Sequence, residues 1–268
     1  MNITVRKMNR EDLPEALEVE KSAVRGTNQY LADVFDYYTS TKGELSVACV
    51  DDKVVGIGKF TVLFDGSAWL ELLRVHQDYQ KQGVGTAIYQ RYFEQMDMYH
   101  LKRAALYTGI RNIGSCTLAK NFGLSQECGY ISFSAAPQNQ GNVLPFKLSK
   151  AVPEMPVNIA HLNINHTFYP VNEATLGGFL SQGWIYTYQD TVLIMGSRFQ
   201  PTKALYIAYI SGSYQREAIA FALHLAAIQG IEKVTYHFPS DKPVPVDLLD
   251  KFGFIQDPGE DIIMSIER

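Results

Sequence analysis

The segment Gln80-Lys81-Gln82-Gly83-Val84-Gly85-Thr86 carries the residue types that hold a diphosphate. Such an anion needs several donors converging on one small volume. Backbone N–H groups at a helix N-terminus supply them, together with the positive end of the helix dipole. Gly83 and Gly85 have no Cβ, so the backbone there can approach phosphate oxygens closely and take conformations that other residues resist. Thr86 adds a hydroxyl donor and Lys81 a mobile positive charge. The segment lacks the Gly-x-Gly-x-x-Gly of dinucleotide sites and the Gly-Lys-Ser/Thr of P-loops, which disfavours nucleotide hydrolysis. Two glycines also suit a plain strand-to-helix turn, and the surroundings have to decide between these readings.

The surroundings favour the anion site. Trp69 to Val75 reads as an apolar strand, and the positions Ala87, Ile88, Tyr92, Phe93 and Met96 recur with a helical period, so the glycines stand between a strand and an amphipathic helix. Upstream, Ile3 to Arg6 reads as a strand, Asn9-Arg10-Glu11-Asp12 offers a cap before a helix through Leu13, Ala16, Leu17 and Val19, and Tyr30 to Tyr38 reads as a second helix. Leu45–Val50 and Val54–Leu63 form a hairpin across Asp51-Asp52-Lys53. Downstream come a strand at Arg103–Thr108, a helix from about Asn112 to Phe122, and strands at Tyr130–Ser134 and Leu144–Leu148. The prolines of Ala-Val-Pro-Glu-Met-Pro-Val cannot sit inside a sheet or helix, which places a boundary near residue 152 and two domains at 1–151 and 152–268.

The second half repeats the order: strand at Leu205–Ile210, helix at Glu217–Ile228, strand at Val234–Phe238, short helix at Val246–Lys251. Tyr214-Gln215-Arg216-Glu217-Ala218-Ile219-Ala220 echoes Tyr79 to Gly85, and Lys251-Phe252-Gly253-Phe254 echoes Lys120-Asn121-Phe122-Gly123-Leu124. Two echoes in the same order favour duplication of one fold. A net charge of -4 gives no broad footprint for nucleic acid. The first residues hold no apolar secretory segment and no run spans a bilayer, so the protein reads as cytoplasmic, without a membrane partner. Cys49, Cys116 and Cys128 match no zinc spacing, the histidines show no paired metal motif, and no metal is expected. The sequon Asn165-His166-Thr167 is read as chance.

Leu73-Arg74-Val75 followed by Gln80 to Gly85 resembles the signature of the GNAT superfamily of N-acetyltransferases, Q/R-x-x-G-x-G/A after an apolar-x-Val strand end. Asn112, Ser115, Leu118 and Phe122-Gly123-Leu124 fit the family's later pattern. The resemblance covers residues 1 to about 135, and the rest resembles a second, degenerate copy ending in Asp261-Ile262-Ile263-Met264. It implies a mixed α/β architecture of two tandem GNAT-like domains, each a mostly antiparallel sheet flanked by helices. It further implies that acetyl-CoA is the co-substrate. The backbone of Leu73 and Val75, with Arg74 between them, would pair with the pantetheine arm. Gln80 to Thr86 would hold the diphosphate, and Asn112 and Ser115 would lie beside the pantetheine and sulfur. Ala218 and Ala220 stand where the second copy would need glycines, so one CoA site is expected.

Acyl transfer to an amine needs a base and an oxyanion donor, and Glu71, on the strand before the loop, is the candidate base. The family's tyrosine acid falls on Ala119; Cys116 or Tyr130 could substitute, or the thiol could leave unaided. Cys116 is equally read as a small buried helix residue and His76 as a polar strand-end residue. Tyr30, Tyr37, Tyr38, Trp69 and Tyr107 are candidate walls for a small-molecule or protein amine, with the second domain shaping the acceptor cleft or a homodimer face. Two alternatives stay open: an acyl-CoA-binding regulatory module with little or no catalysis, and a transferase using another acyl donor.

Overall fold

The computed structural model describes residues 2–23, 29–154 and 159–268. By internal contacts the chain divides into two compact units: Met1–Thr108 with Asn112–Gln126 and Met264–Arg268, and Gly109–Arg111 with Glu127–Ile263.

In the first unit, β1 (Ile3–Lys7) leads to α1 (Leu13–Ala23) and α2 (Leu31–Ser40), then to β2 (Gly43–Val50), β3 (Lys53–Val62) and β4 (Ala68–Val75). After α3 (Val84–Met98) come β5 (Arg103–Gly109) and α4 (Ile113–Asn121). The strands lie in the order β1-β2-β3-β4-β5, antiparallel except for the parallel β4–β5 pair. Asp51 and Asp52, both at positive φ (48° and 63°), make the tight turn of the β2–β3 hairpin. The buried Glu20 carboxylate of α1 accepts the backbone N–H groups of Tyr30 and Leu31, at 3.1–3.3 Å, and so anchors the start of α2. Close seating of α3 on β3 requires glycine there: a Cβ at Gly56 would lie 2.7 Å from Val84 Cγ1, and one at Gly58 2.3 Å from the Tyr92 hydroxyl. Ile88, Tyr92 and Met96 of α3 are thereby fully buried, as are Ile57 and Phe60 of β3.

The second unit holds most of β6 (Ser125–Ala135), then β7 (Lys147–Leu148), β8 (His161–Ile164), β9 (Thr167–Pro170), α5 (Glu173–Ser181), β10 (Ile185–Tyr188) and β11 (Thr191–Gly196). There follow β12 (Leu205–Ser211), α6 (Gln215–Ile228), β13 (Val234–Pro239), α7 (Val246–Asp250), β14 (Ile255–Gln256) and the start of β15 (Asp261–Glu267). Its strands run β6-β13-β12-β11-β10-β7, with β14 on β6 and a separate β8–β9 hairpin. Only β12 and β13 pair in parallel. Ile219, Ala222, Leu223 and Ala226 of α6 pack on Leu193, Met195, Leu205, Ile207 and Val234, the core of this unit.

The mixed α/β architecture and tandem order match the sequence reading, and three particulars differ. The compact units do not follow a cut after residue 151. β6 pairs with β13 from Tyr130↔Pro239 to Ala135↔Val234, and the main stretch of the second unit runs from Glu127 to Ile263, while Met264–Arg268 belong to the first. Arg268 N–H donates to Lys102 O at 2.7 Å and Arg103 pairs with Glu267 at 3.0 Å within that first unit. Of the boundary residues, Met155, Pro156 and Val157 lie outside the described residues. The strand expected at Leu144–Leu148 is only Lys147–Leu148, and five elements between residues 161 and 196 had no counterpart in the sequence reading. Asn165 is buried, with Nδ2 donating to Phe199 O and Oδ1 accepting from Arg198 N–H and Ser197 Oγ, a packed setting that leaves no room for a glycan on Nδ2.

Candidate functional site

The centre of the first unit is an opening in its sheet. β4 pairs with β5 at Ala68↔Ala104 and Trp69↔Ala105, and among the described residues that ladder extends no further. On its other edge, Ile57↔Arg74 and Lys59↔Glu71 are partners, so Leu72 and Leu73 together oppose Gly58. Leu72, with φ of 58°, marks this β-bulge, which bends β4 and re-aims its backbone. Leu73, Arg74 and Val75 lie half-buried past the bulge. Two of their carbonyls are engaged: Leu73 O accepts from Arg74 Nη1 at 3.0 Å and Val75 O from Gln80 Nε2 at 3.2 Å. A ligand pairing with this edge through those carbonyls would displace these two side chains.

A one-turn 3-10 helix over Gln77–Tyr79 then leads to the glycine segment. His76 Nδ1 accepts the Asp78 N–H at 3.3 Å, which caps this turn, a structural use of that histidine. Lys81 (φ 60°) and Gly83 (φ 90°) both take the left-handed conformation, and Gly83 is the N-cap of α3. The first helical bond runs from Ala87 N to Gly83 O, and no side chain caps α3. The N–H groups of Val84, Gly85 and Thr86 are therefore available as the donor set of an uncapped helix end. Gln80, Lys81, Gln82, Gly83 and Thr86 are exposed, while Val84 contributes only backbone, its side chain being buried against Gly56. Gln82 Nε2 donates to Asp78 O at 2.7 Å. The two glycines serve different ends: Gly83 meets a backbone need, whereas a Cβ at Gly85 would stand 3.0 Å from Leu118 Cδ2, so Gly85 lets α4 pack against α3.

Asn112 is the N-cap of α4, its Oδ1 accepting the Ser115 N–H at 3.2 Å. Ala119 is fully buried in the same helix and offers no proton. Of the two substitutes for that acid, Cys116 is half-buried on α4. Tyr130 belongs to the second unit, its hydroxyl 3.3 Å from His161 Nδ1, and burial pushes its phenol well up.

Glu71 sits just before the bulge. Its Oε2 accepts from the Tyr38 hydroxyl at 3.0 Å and its Oε1 from Thr61 Oγ1 at 2.6 Å, while the Tyr92 hydroxyl donates to its backbone carbonyl at 3.1 Å. Directly across the ladder is Lys59, fully buried, with Nζ donating to Tyr38 O at 2.9 Å. Lys59 escaped the sequence reading; its only trace is a cation inside the apolar run Val54–Leu63. Of the expected wall aromatics, Tyr38 and Trp69 are buried and Tyr30, Tyr37 and Tyr107 half-buried. Burial raises the Tyr30 phenol, with smaller influences from Arg74 and Glu71.

The second unit repeats the frame without these groups. β12 and β13 pair over Leu205–Ile207, and a bulge falls at Ala208, because Met195↔Ile207 is followed by Ile194↔Tyr209. Met195 and Ile207 thus stand where Lys59 and Glu71 stand in the first unit. From Ser211 the chain reaches α6 directly, with Tyr214 as N-cap. Asp190 accepts the Ser213 N–H, at 3.2 and 3.3 Å to its two oxygens, and the Ser213 hydroxyl at 2.6 Å. Thr191 Oγ1 accepts the Tyr214 N–H at 2.9 Å. The structural counterpart of Gly83 is therefore Tyr214; Ala218 lies a turn inside α6 and is fully buried. One further cluster belongs to this unit. His166, His237 and Asp261 place one ligand atom each within 4.8 Å of one another. Burial holds His166 down to about 4 and His237 well below its usual value, whereas it raises Asp261.

Among the described residues no helix is long and apolar enough to cross a membrane. Residues 6–124 match the model of the Acetyltransferase (GNAT) family, and no curated protein matches the chain. A GCN5-related N-acetyltransferase from Sphaerobacter thermophilus is 11% identical with a TM-score of 0.67, over 99% of this chain and 95% of that one. A tandem GNAT protein from the clavulanic acid biosynthesis pathway is 10% identical with a TM-score of 0.63, over 99% and 98%. A GCN5-related N-acetyltransferase from Kribbella flavida is 12% identical with a TM-score of 0.53, over 98% and 70%. At such identities these structures speak for the fold. Together, the match places a region similar to the Acetyltransferase (GNAT) family at residues 6–124, and the structures give the whole chain a tandem GNAT fold.

Proposed function

We propose that the protein is an acetyl-CoA-dependent N-acyltransferase for an amine, with a single cofactor site in its first unit. What carries the reading is one conjunction: β4 bulges at Leu72, leaves β5 after Trp69, and runs into a helix whose N-terminus no side chain caps. An open strand edge suits an amide-bearing arm, and an uncapped helix end suits a diphosphate. Leu73 and Val75 would hold the arm, Gln80 to Thr86 the diphosphate, and Asn112 and Ser115 the stretch near α4. Bound acetyl-CoA supplies an activated acyl thioester to this site.

The chain's own groups would then act as follows. Glu71, held by the Tyr38 and Thr61 hydroxyls, orients the amine and takes its proton. Backbone N–H groups of β4 beyond the bulge face the acyl oxygen. Ala119 offers no proton to the leaving sulfur, so that proton comes from solvent, which a thiol with a pKa of about 8.5 tolerates. The buried Ala119 also favours a second reading, a protein that binds acyl-CoA and transfers slowly or not at all. The acceptor is an amine, free or on a protein, and the preferred acyl chain is open to donor profiling.

The test is calorimetric titration with acetyl-CoA and free CoA of the wild type and of Gly83→Trp, after both are shown folded. One-to-one binding that the variant loses by about a hundredfold or more supports the site. Absence of wild-type binding removes the transferase reading, and binding without turnover across an amine panel selects the regulatory one.

A further inference from the structure

The second unit lacks the anion site but contains an arrangement that acyl transfer does not use. His166 stands at the turn of the β8–β9 hairpin, His237 on β13 and Asp261 at the start of β15, three elements distant in sequence. The turn is fixed: Asn165 and His166 both hold positive φ (51° and 54°), and Asn165 Oδ1 accepts the Arg198 N–H at 2.6 Å. The two imidazole rings meet edge to face, with centroids 5.3 Å apart and planes at 89°. Tyr206 stacks beside His237 at 6.2 Å and Phe168 meets it edge-on at 5.8 Å, an apolar wall around polar atoms.

His237 is 6% exposed, and among the described residues neither of its ring nitrogens has a hydrogen-bond partner. Thr235 Oγ1, on the same face of β13, is likewise buried without a partner. Buried polar atoms without partners are costly, and such a pair on one strand face calls for a compensating ligand. Two neutral imidazoles and a carboxylate are the donor set of zinc-class ions, and three protein ligands leave a coordination position open.

We propose that His166, His237 and Asp261 bind one divalent transition-metal ion of the zinc class. Bonds of about 2.0–2.2 Å would bring tetrahedral ligand atoms to roughly 3.4 Å from one another. The present spacing, within 4.8 Å, calls for side-chain rotations that draw the three together. The ion would tie the β8–β9 turn to β13 and β15 and give one of the two His237 ring nitrogens a partner. All three ligands lie in the second unit, so the inference stands apart from the acyl-transfer reading.

The experiment is titration of tag-free, chelator-stripped, full-length protein with Zn²⁺ against a chromophoric chelator, with Mg²⁺ in a parallel arm. One Zn²⁺ per chain is expected, with Mg²⁺ failing to compete because it prefers an all-oxygen shell. His237→Phe keeps a ring against Tyr206 and Phe168, and Asp261→Asn keeps the shape of the carboxylate; each should weaken Zn²⁺ by about tenfold or more. His100→Gln, altering an exposed histidine, should leave affinity unchanged. No saturable Zn²⁺ binding, equal affinity for Mg²⁺, or wild-type affinity in both folded ligand variants would overturn the proposal.

Discussion

The turn into α3 and the turn into α6 are two outcomes of the same frame. Both follow a strand with one extra residue in its ladder, and in both that strand pairs briefly in parallel with the next. In the first unit eight residues separate Val75 from the N-cap Gly83, counting the cap, and the helix end is left without a side-chain cap. In the second the link is three residues, and Asp190 and Thr191 already occupy the N–H groups of Ser213 and Tyr214. An anion presented there would meet the Asp190 carboxylate beside the turn. The polar pair Lys59–Glu71 becomes the apolar pair Met195–Ile207. Bulge and helix, with no side-chain cap at either N-cap, are thus properties of the fold, whereas the long glycine link and the Lys59–Glu71 pair are properties of one copy.

The contrast can be broken most sharply at Glu71. Glu71→Gln keeps the hydroxyl contacts and removes the base; kcat should fall about a hundredfold with little change in the acetyl-CoA dissociation constant. A variant with wild-type kcat would place proton transfer elsewhere. Next comes the exchange of the two equivalent letters. Gly83→Ala puts a Cβ at φ of 90°, costs about 1–2 kcal/mol in the loop, and should weaken acetyl-CoA by about tenfold, read calorimetrically. The reciprocal Ala218→Gly should cost about 1 kcal/mol of global stability in urea and leave one acetyl-CoA per chain. A second equivalent of bound acetyl-CoA in that variant would show that Ala218, and not the short turn held by Asp190, keeps the second copy empty. A bulky residue at Ala218 would test only core packing, since the site is fully buried.

What could be read from the residues was what local spacing controls. The left-handed Gly83 opening α3, the Asn112 cap three residues before Ser115, and the Asp51-Asp52 hairpin are all settled within a few residues of chain. The bulge was not legible, because it is a register between β3 and β4 and no single residue type announces it. Lys59 was passed over for the same reason: its significance comes from facing Glu71 across the ladder. The letter match of Gly83 with Ala218 assumed loops of equal length, and the shorter link to Tyr214 moved the true counterpart. Helix α5 was hidden by Gly177 and Gly178 in its interior, where tertiary burial of Leu176 and Phe179 outweighs propensity. His166, His237 and Asp261 meet only through the packing of a hairpin turn and two strands distant in sequence.

The smallest expected effect is also the one that separates the two helix ends by pH. Bonding to the Ser213 hydroxyl, and then to its N–H, lowers the Asp190 pKa below the usual value. The folded state therefore favours the ionised carboxylate, and its contribution is present above the unfolded value of about 4 and lost as pH falls through the lower folded value. Asp190 is fully exposed, so the contribution is modest and screened by salt. Hydrogen exchange at Ser213 and Tyr214, corrected for intrinsic rates, should show protection that is flat from pH 7 to 5 and declines below pH 4. Asp190→Asn should lower that protection at pH 7 and flatten its pH dependence. The matching positions before α3 are Gln82 and Gly83, and their N–H groups should show no such acid transition; if they do, a carboxylate reaches that turn in solution and the contrast between the copies narrows.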